Sequence, residues 1–137
     1  MGTGIFEEHL VRQIEKSLER NANLRFRMII DEARGTRHTK MTNGYICSSD
    51  LLNEIKASNV NRDIEVGLLS ANTAITNSKM LKEVLGVHHC KFAVFDNSVV
   101  LTGANLEEQY FTTRRDRYWV INNVPELADY LEDYLMT

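Results

Sequence analysis

Apolar residues at Phe6, Leu10, Ile14 and Leu18 recur every fourth position with charges between them. That spacing lines one side of a helix and predicts an amphipathic helix over about 5–20, ended by Asn21-Ala22-Asn23. From Leu24 to Ile30 the pattern changes to alternation, with Leu24, Phe26 and Met28 set against Arg25 and Arg27, which predicts a strand. A polar stretch, 31–45, follows as a loop with Gly35 and Gly44 as breakers. Ser48, Ser49 and Asp50 offer N-caps to a helix carrying Leu51, Leu52 and Ile55. Ile64, Val66 and Leu68 alternate in a second strand over Asp63–Leu69, then a loop over 70–79 and a short helix around 79–85 are expected.

His89 to Asp96 reads as a strand that is apolar on both faces after its start, as a central strand would be. Asp96-Asn97-Ser98 turns the chain and Val99–Thr102 returns it. Arg117–Ile121 is one more strand, and Pro125 opens a last helix with Leu127, Leu131 and Leu135 on one side. The order α-β-α-β-β-β-β-α implies an α/β fold: one mixed β-sheet flanked by helices on both faces. No repeat, low-complexity tract or linker divides the 137 residues, so a single domain over 1–137 is expected.

Composition adds limits. Hydrophobic residues make up 43% of the chain and charged ones 26%, so it reads as globular rather than disordered. The net charge of −3 argues against a chain built to coat nucleic acid. No apolar run approaches the roughly 20 residues of a membrane-crossing helix. No signal peptide, Arg-rich transit segment or myristoylation signal is recognisable. Cys47 and Cys90 form no metal-spaced motif with each other and read as free thiols, Cys90 as a small buried hydrophobe.

Chemistry concentrates at His89-Cys90-Lys91. Alternate residues of a strand share a face, so His89 and Lys91 are expected to project together. A phosphodiester enzyme needs a nucleophile or proton carrier beside a fixed positive charge, and this pair supplies both, although the same spacing also arises at ordinary strand edges. Thr102-Gly103-Ala104-Asn105 follows, so that Lys91 and Asn105 could both donate to a phosphate oxygen. Asp96 completes an H-x-K-x4-D pattern. It points to the opposite face and is better placed to fix the following turn than to touch substrate. In Arg114-Arg115-Asp116-Arg117, Asp116 is expected to orient His89 while one arginine, Arg115, meets a phosphate. The alternative is a charged lead into a strand. Arg34 and Arg37 lie in a loop after a strand, where α/β proteins commonly place ligand contacts, and could bind a diphosphate; a solvated loop is the plainer reading. His9 is read as structural, and His88 as packing.

H-x-K-x4-D followed by G-x-N resembles the phospholipase D superfamily. The run His89–Leu106, then Tyr110-Phe111-Thr112 and Arg115-Asp116-Arg117-Tyr118, looks like the eukaryotic phosphatidylglycerophosphate synthases within it, and Arg34-Gly35-Thr36-Arg37 resembles that family's Arg-Gly-Ser-Arg loop. The strong match covers about 50 residues. The resemblance implies a phospholipase D-like fold and a mitochondrial enzyme at a membrane surface. Such an enzyme transfers the phosphatidyl group of CDP-diacylglycerol to glycerol 3-phosphate through a phosphatidyl-histidine, with no cofactor or metal. It implies His89 as nucleophile or acid/base partner, with Lys91 and Asn105 on the phosphoryl oxygens. Two departures stand out. Gly103-Ala104-Asn105 replaces the superfamily's G-S-x-N turn and is one residue shorter. The chain also carries one motif where the superfamily site needs two, so the second comes from the same parent chain or from a homodimer partner. A homodimeric phosphodiesterase (a phospholipase or a nuclease) and a non-catalytic lipid- or partner-binding domain are the alternatives.

Overall fold

The computed structural model describes residues 5–41, 44–70 and 88–136. The short helix expected around 79–85, and all of the 70–79 loop but its first residue, lie outside the described residues. Two compact units emerge. One reaches from the N-terminus to His89 and includes Leu106–Glu108; the other comprises Cys90–Asn105 and the chain from Gln109.

The N-terminal unit starts with α1 (Ile5–Arg20) and β1 (Arg25–Asp31). The chain continues through a one-turn α2 (Glu32–Gly35) and a small antiparallel hairpin, β2 (Thr39–Met41) with β3 (Gly44–Ile46). Then come α3 (Ser48–Ser58) and β4 (Asp63–Leu69), the latter parallel to β1 with Phe26 opposite Ile64 and Met28 opposite Val66. Phe26, Met28 and Val66 pack on a core of Val11, Leu18, Ile30, Leu51, Leu52, Ile55 and Ile64. Both long helices thus share one core with one face of the strand pair. The opposite face carries Arg27, whose guanidinium pairs with Asp63 at 2.8 Å and Glu65 at 3.0 Å. The hydrogen bond from Arg27 holds the Asp63 carboxyl below its usual pKa. That contribution is present above the ordinary carboxyl range and is lost as pH falls through the lowered value.

The expected 31–45 loop holds more structure than alternation could reveal. Asp31 caps α2 by accepting from Arg34 N at 3.0 Å. Gly35 closes that turn because its Cα lies against the strand pair: a Cβ there would stand 2.5 Å from Ile30 Cδ1. Cys47, rather than Ser48, Ser49 or Asp50, is the N-cap of α3, and its amide donates to Asp50 Oδ2 at 3.0 Å.

The C-terminal unit is an antiparallel three-stranded sheet, β5 (Phe92–Phe95), β6 (Ser98–Thr102) and β7 (Tyr118–Ile121), with β6 in the middle. A short helix, α4 (Glu108–Thr112), precedes β7, and α5 (Pro125–Met136) closes the chain. The Phe92 ring meets Tyr134 of α5 at 6.1 Å between centroids. Val99 and Ala128 are buried in this unit. The α/β class is the one expected. Among the described residues its strands pair as three separate ladders. β5 lies at a ladder edge rather than centrally, and Phe95 is 65% exposed.

Candidate active site

The boundary between the units falls between His89 and Cys90. Arg34, Arg37 and His89 therefore belong to the first unit, and Lys91, Asp96, Asn105, Arg115 and Asp116 to the second.

In the C-terminal unit the strand proper starts at Phe92, three residues later than the alternation from His89 suggested. Lys91 is still held in register, because its carbonyl accepts from Thr102 N at 3.1 Å. Thr102 in turn lies opposite Tyr118 on β7. One end of the sheet thus brings together Lys91, Thr102 with the Gly103-Ala104-Asn105 turn, and Asp116 two residues before Tyr118. The turn is fixed locally by Thr102 Oγ1, which accepts from Ala104 N at 3.0 Å, and by burial of Ala104. The Asp116 carboxylate lies over Gly103: a Cβ at that position would meet Oδ2 at 3.0 Å and Oδ1 at 3.1 Å. A side chain at position 103 would require the carboxylate to give by a few tenths of an ångström. Asp116 Oδ1 also accepts from Arg117 N at 2.7 Å, which sets the carboxylate's orientation. Lys91, Asn105 and Asp116 therefore stem from one sheet end, and a cation, a primary amide and a carboxylate are side-chain types suited to holding an anionic phosphoryl group.

Asp96 is not part of that gathering. It occupies the two-residue turn between β5 and β6 with φ 50°, at the far end of the strand. Five residues at roughly 3.3 Å each put it roughly 16 Å along the chain from Lys91. Asp96 thus sits in the turn, where the sequence pattern places it, and a short polar side chain tolerates the left-handed region.

The arginines also separate. Arg114 lies over the Tyr110 ring at 5.3 Å and donates to its hydroxyl at 3.3 Å, and Arg117 lies over Trp119 at 5.9 Å. Arg115 is exposed and stacks on no ring among the described residues. Cys90 is exposed, not buried as expected, because it precedes an edge strand. Its sulfur sits 4.0 Å from Tyr134 Oη, and that contact holds the Tyr134 phenol above its ordinary pKa.

In the N-terminal unit His89 is exposed. The residue before it is anchored by one carboxylate the sequence reading passed over. Asp31 Oδ2 accepts from His88 N at 3.1 Å while Oδ1 accepts from Arg34 N at 3.0 Å. The Arg34–Arg37 segment and the start of the histidine motif are thus tied to the C-terminal end of β1, the end of a parallel strand where α/β folds place ligands. Arg34 and Arg37 are both exposed. The signal was present as an acidic N-cap straight after a strand, Asp31-Glu32-Ala33-Arg34, but its second partner is 57 residues away. His9 lies exposed on α1 rather than in the core.

No protein-family model matches the chain. Curated proteins do. The "CDP-diacylglycerol--glycerol-3-phosphate 3-phosphatidyltransferase, mitochondrial" of Gallus gallus is 31% identical over 141 residues, covering 97% of this chain and 25% of the relative. The protein of the same name from Homo sapiens is 33% identical over 143 residues, with the same coverage. A "CDP-diacylglycerol--glycerol-3-phosphate 3-phosphatidyltransferase" from Saccharomyces pastorianus is 33% identical over 125 residues, 88% of this chain and 23% of the relative. The chain spans about a quarter of the length of the curated relatives it matches. No solved structure matches it.

Proposed function

From a homology to phosphatidyltransferases that runs along nearly the whole chain, we propose that this chain supplies one motif-bearing part of an enzyme making phosphatidylglycerophosphate from CDP-diacylglycerol and glycerol 3-phosphate, with release of CMP. The observation that carries the reading is the gathering of Lys91, Asn105 and Asp116 at one sheet end directly after His89 in the chain.

His89 serves as nucleophile or as acid/base partner in a double displacement. In the first step a motif histidine attacks the phosphatidyl phosphorus, the phosphoanhydride bond breaks and CMP leaves with the proton delivered by its partner. In the second, the glycerol 3-phosphate hydroxyl loses its proton to that partner and takes the phosphatidyl group. Lys91 and Asn105 neutralise and orient the phosphoryl oxygens, and Asp116 supports the histidine. Arg34, Arg37 and Arg115 bind the remaining phosphates of nucleotide and acceptor. The second histidine comes from another H-x-K motif, in the same parent chain or in a second copy. The names of the chicken and human relatives point to mitochondria, and a diacyl substrate points to a membrane surface, which the described helices are not long and apolar enough to cross.

This chain tested alone, as a monomer, is expected to release no CMP from CDP-diacylglycerol in mixed micelles; light scattering on the same sample gives its mass. An active monomer contradicts the need for two motifs. An active dimer identifies the second copy as the source of the other histidine, and His89-dependent cleavage of DNA instead of CDP-diacylglycerol would favour a nuclease.

In the active assembly Gly103→Ala is expected to push the Asp116 carboxylate aside by a few tenths of an ångström. Since a misplacement of about 1 Å can cost 10²-fold, a loss of about 10-fold in kcat/KM is expected without a change in thermal midpoint. Unchanged kcat/KM would remove Asp116 from the working site.

A further inference from the structure

Outside the residues given a role in phosphatidyl transfer, the described residues of the N-terminal unit hold one cluster of metal-ligating side chains. His38 ends the segment after α2, Cys47 is the residue before α3, and Asp50 is in the first turn of α3. One ligand atom from each lies within 4.8 Å of the other two. We infer that His38, Cys47 and Asp50 form a binding site for a zinc-type divalent transition metal. The metal clips together the two ends of the β2–β3 hairpin and so fixes the adjoining Arg34–Arg37 segment.

The donor set is imidazole nitrogen, thiolate sulfur and carboxylate oxygen, the mixture that a borderline-soft ion such as Zn²⁺ takes and that Mg²⁺ and Ca²⁺ do not. Zinc bonds of about 2.0–2.3 Å in a tetrahedron put ligand atoms about 3.3–3.6 Å apart. Cys47 Sγ and Asp50 Oδ2 are already 3.0 Å apart, and His38 and Asp50 are exposed, so small side-chain rotations reach that geometry. Cys47 is only 3% exposed, which holds its sulfur in one place. Ser49 Oγ lies 3.0 Å from the sulfur, an outer contact of the kind that orients a metal ligand. Asp50 is held ionised by the hydrogen bond from the Cys47 side chain, then by that from its amide, with His38 adding a smaller attraction. The Cys47 thiol proton now bridges sulfur and carboxylate. On binding, the S–H proton and, where His38 is charged, its imidazolium proton leave to solvent, sulfur–metal, nitrogen–metal and oxygen–metal bonds form, and a fourth position is left to water. Sequence spacing hid the site because its sulfur partner is not the other cysteine, and its ligands straddle a hairpin the alternation did not reveal.

The test is a Co²⁺ titration of the full chain after treatment with a chelator, followed by optical absorption. The expected result is a thiolate-to-cobalt charge-transfer band with tetrahedral d–d bands, saturating at one equivalent and abolished by Zn²⁺. Cys90→Ser keeps the band and Cys47→Ser loses it. Because buried Cys47 also caps α3, the exposed His38 provides a second variant: His38→Ala is expected to weaken Zn²⁺ at least about 10-fold in competition with a colorimetric chelator. Absence of a charge-transfer band in the wild-type chain, its survival in Cys47→Ser, its dependence on Cys90, or unchanged Zn²⁺ affinity in His38→Ala would each overturn the site. These readouts need no substrate, so their failure is separate from failure of the phosphatidyltransferase reading.

Discussion

Replacing His89 by alanine is expected to lower CMP release from CDP-diacylglycerol by at least about 10³-fold in the assembled enzyme. General acid–base catalysis alone contributes roughly 10²–10⁴-fold, and loss of a nucleophile costs more. Either role for His89 therefore predicts a large loss in kcat. His89 is exposed and outside the core, so its removal should leave the thermal midpoint within the small range of ordinary surface changes. Lys91 behaves differently. It is half-buried at the sheet end, and in the proposed mechanism its charge binds phosphate in ground and transition state alike, so Lys91→Ala is expected to raise KM as well as lower kcat. The comparison of the two variants separates bond making from phosphate binding. A His89→Ala enzyme with turnover near that of the wild type contradicts the mechanism.

The largest expected effect on stability belongs to Leu52→Ala. Leu52 is fully buried, and its neighbours in the core, Leu18, Ile55 and Leu51, come from both long helices of the N-terminal unit. Deleting a buried leucine side chain removes its transfer free energy and leaves a cavity, for a loss of about 2–5 kcal/mol. Against a typical total of about 5–15 kcal/mol, that is a large fraction. Val60→Ala is the control, since Val60 is 81% exposed and should change stability by less than about 0.5 kcal/mol. Urea unfolding followed by circular dichroism measures both. A Leu52→Ala midpoint equal to that of Val60→Ala would mean that α1, α3 and the strand pair do not share the core described.

Much of this architecture could be read from the residue pattern, and the reasons are physical. Helices α1, α3 and α5 are each three turns or more and carry apolar residues at helical spacing, and the β1 and β4 alternation survives because one face of each packs on a core. Elements of three or four residues, such as α2, β2 and β3, are too short to show a period. They depend on particular contacts: Asp31 capping Arg34 N, and the absence of a Cβ at Gly35. Periodicity also cannot tell a central strand from an edge strand when the flanking partners are unknown, which is why β5 was expected in the middle.

The candidate site divides in the same way. Lys91, Asn105 and Asp116 were legible as residue types near one motif, and the ladder places them at one sheet end. The reason for Gly103 was not legible, because it is the volume of the Asp116 carboxylate. Asp96 was legible as part of a motif, yet its place in the β5–β6 turn separates it from the other motif residues. Asp31 and the His38–Cys47–Asp50 cluster were missed because their partners are distant in sequence or lie across a hairpin.

His89 is proposed to take part in a double displacement on CDP-diacylglycerol. Isotope exchange between labelled CMP and CDP-diacylglycerol, with glycerol 3-phosphate left out, tests it most directly, because only a reversible phosphatidyl-enzyme can carry label in the absence of acceptor. Exchange is expected in the assembled enzyme and is expected to be lost in His89→Ala, whether His89 attacks phosphorus or protonates the leaving CMP. Transfer to glycerol 3-phosphate without any exchange, or exchange that persists in His89→Ala, would contradict it.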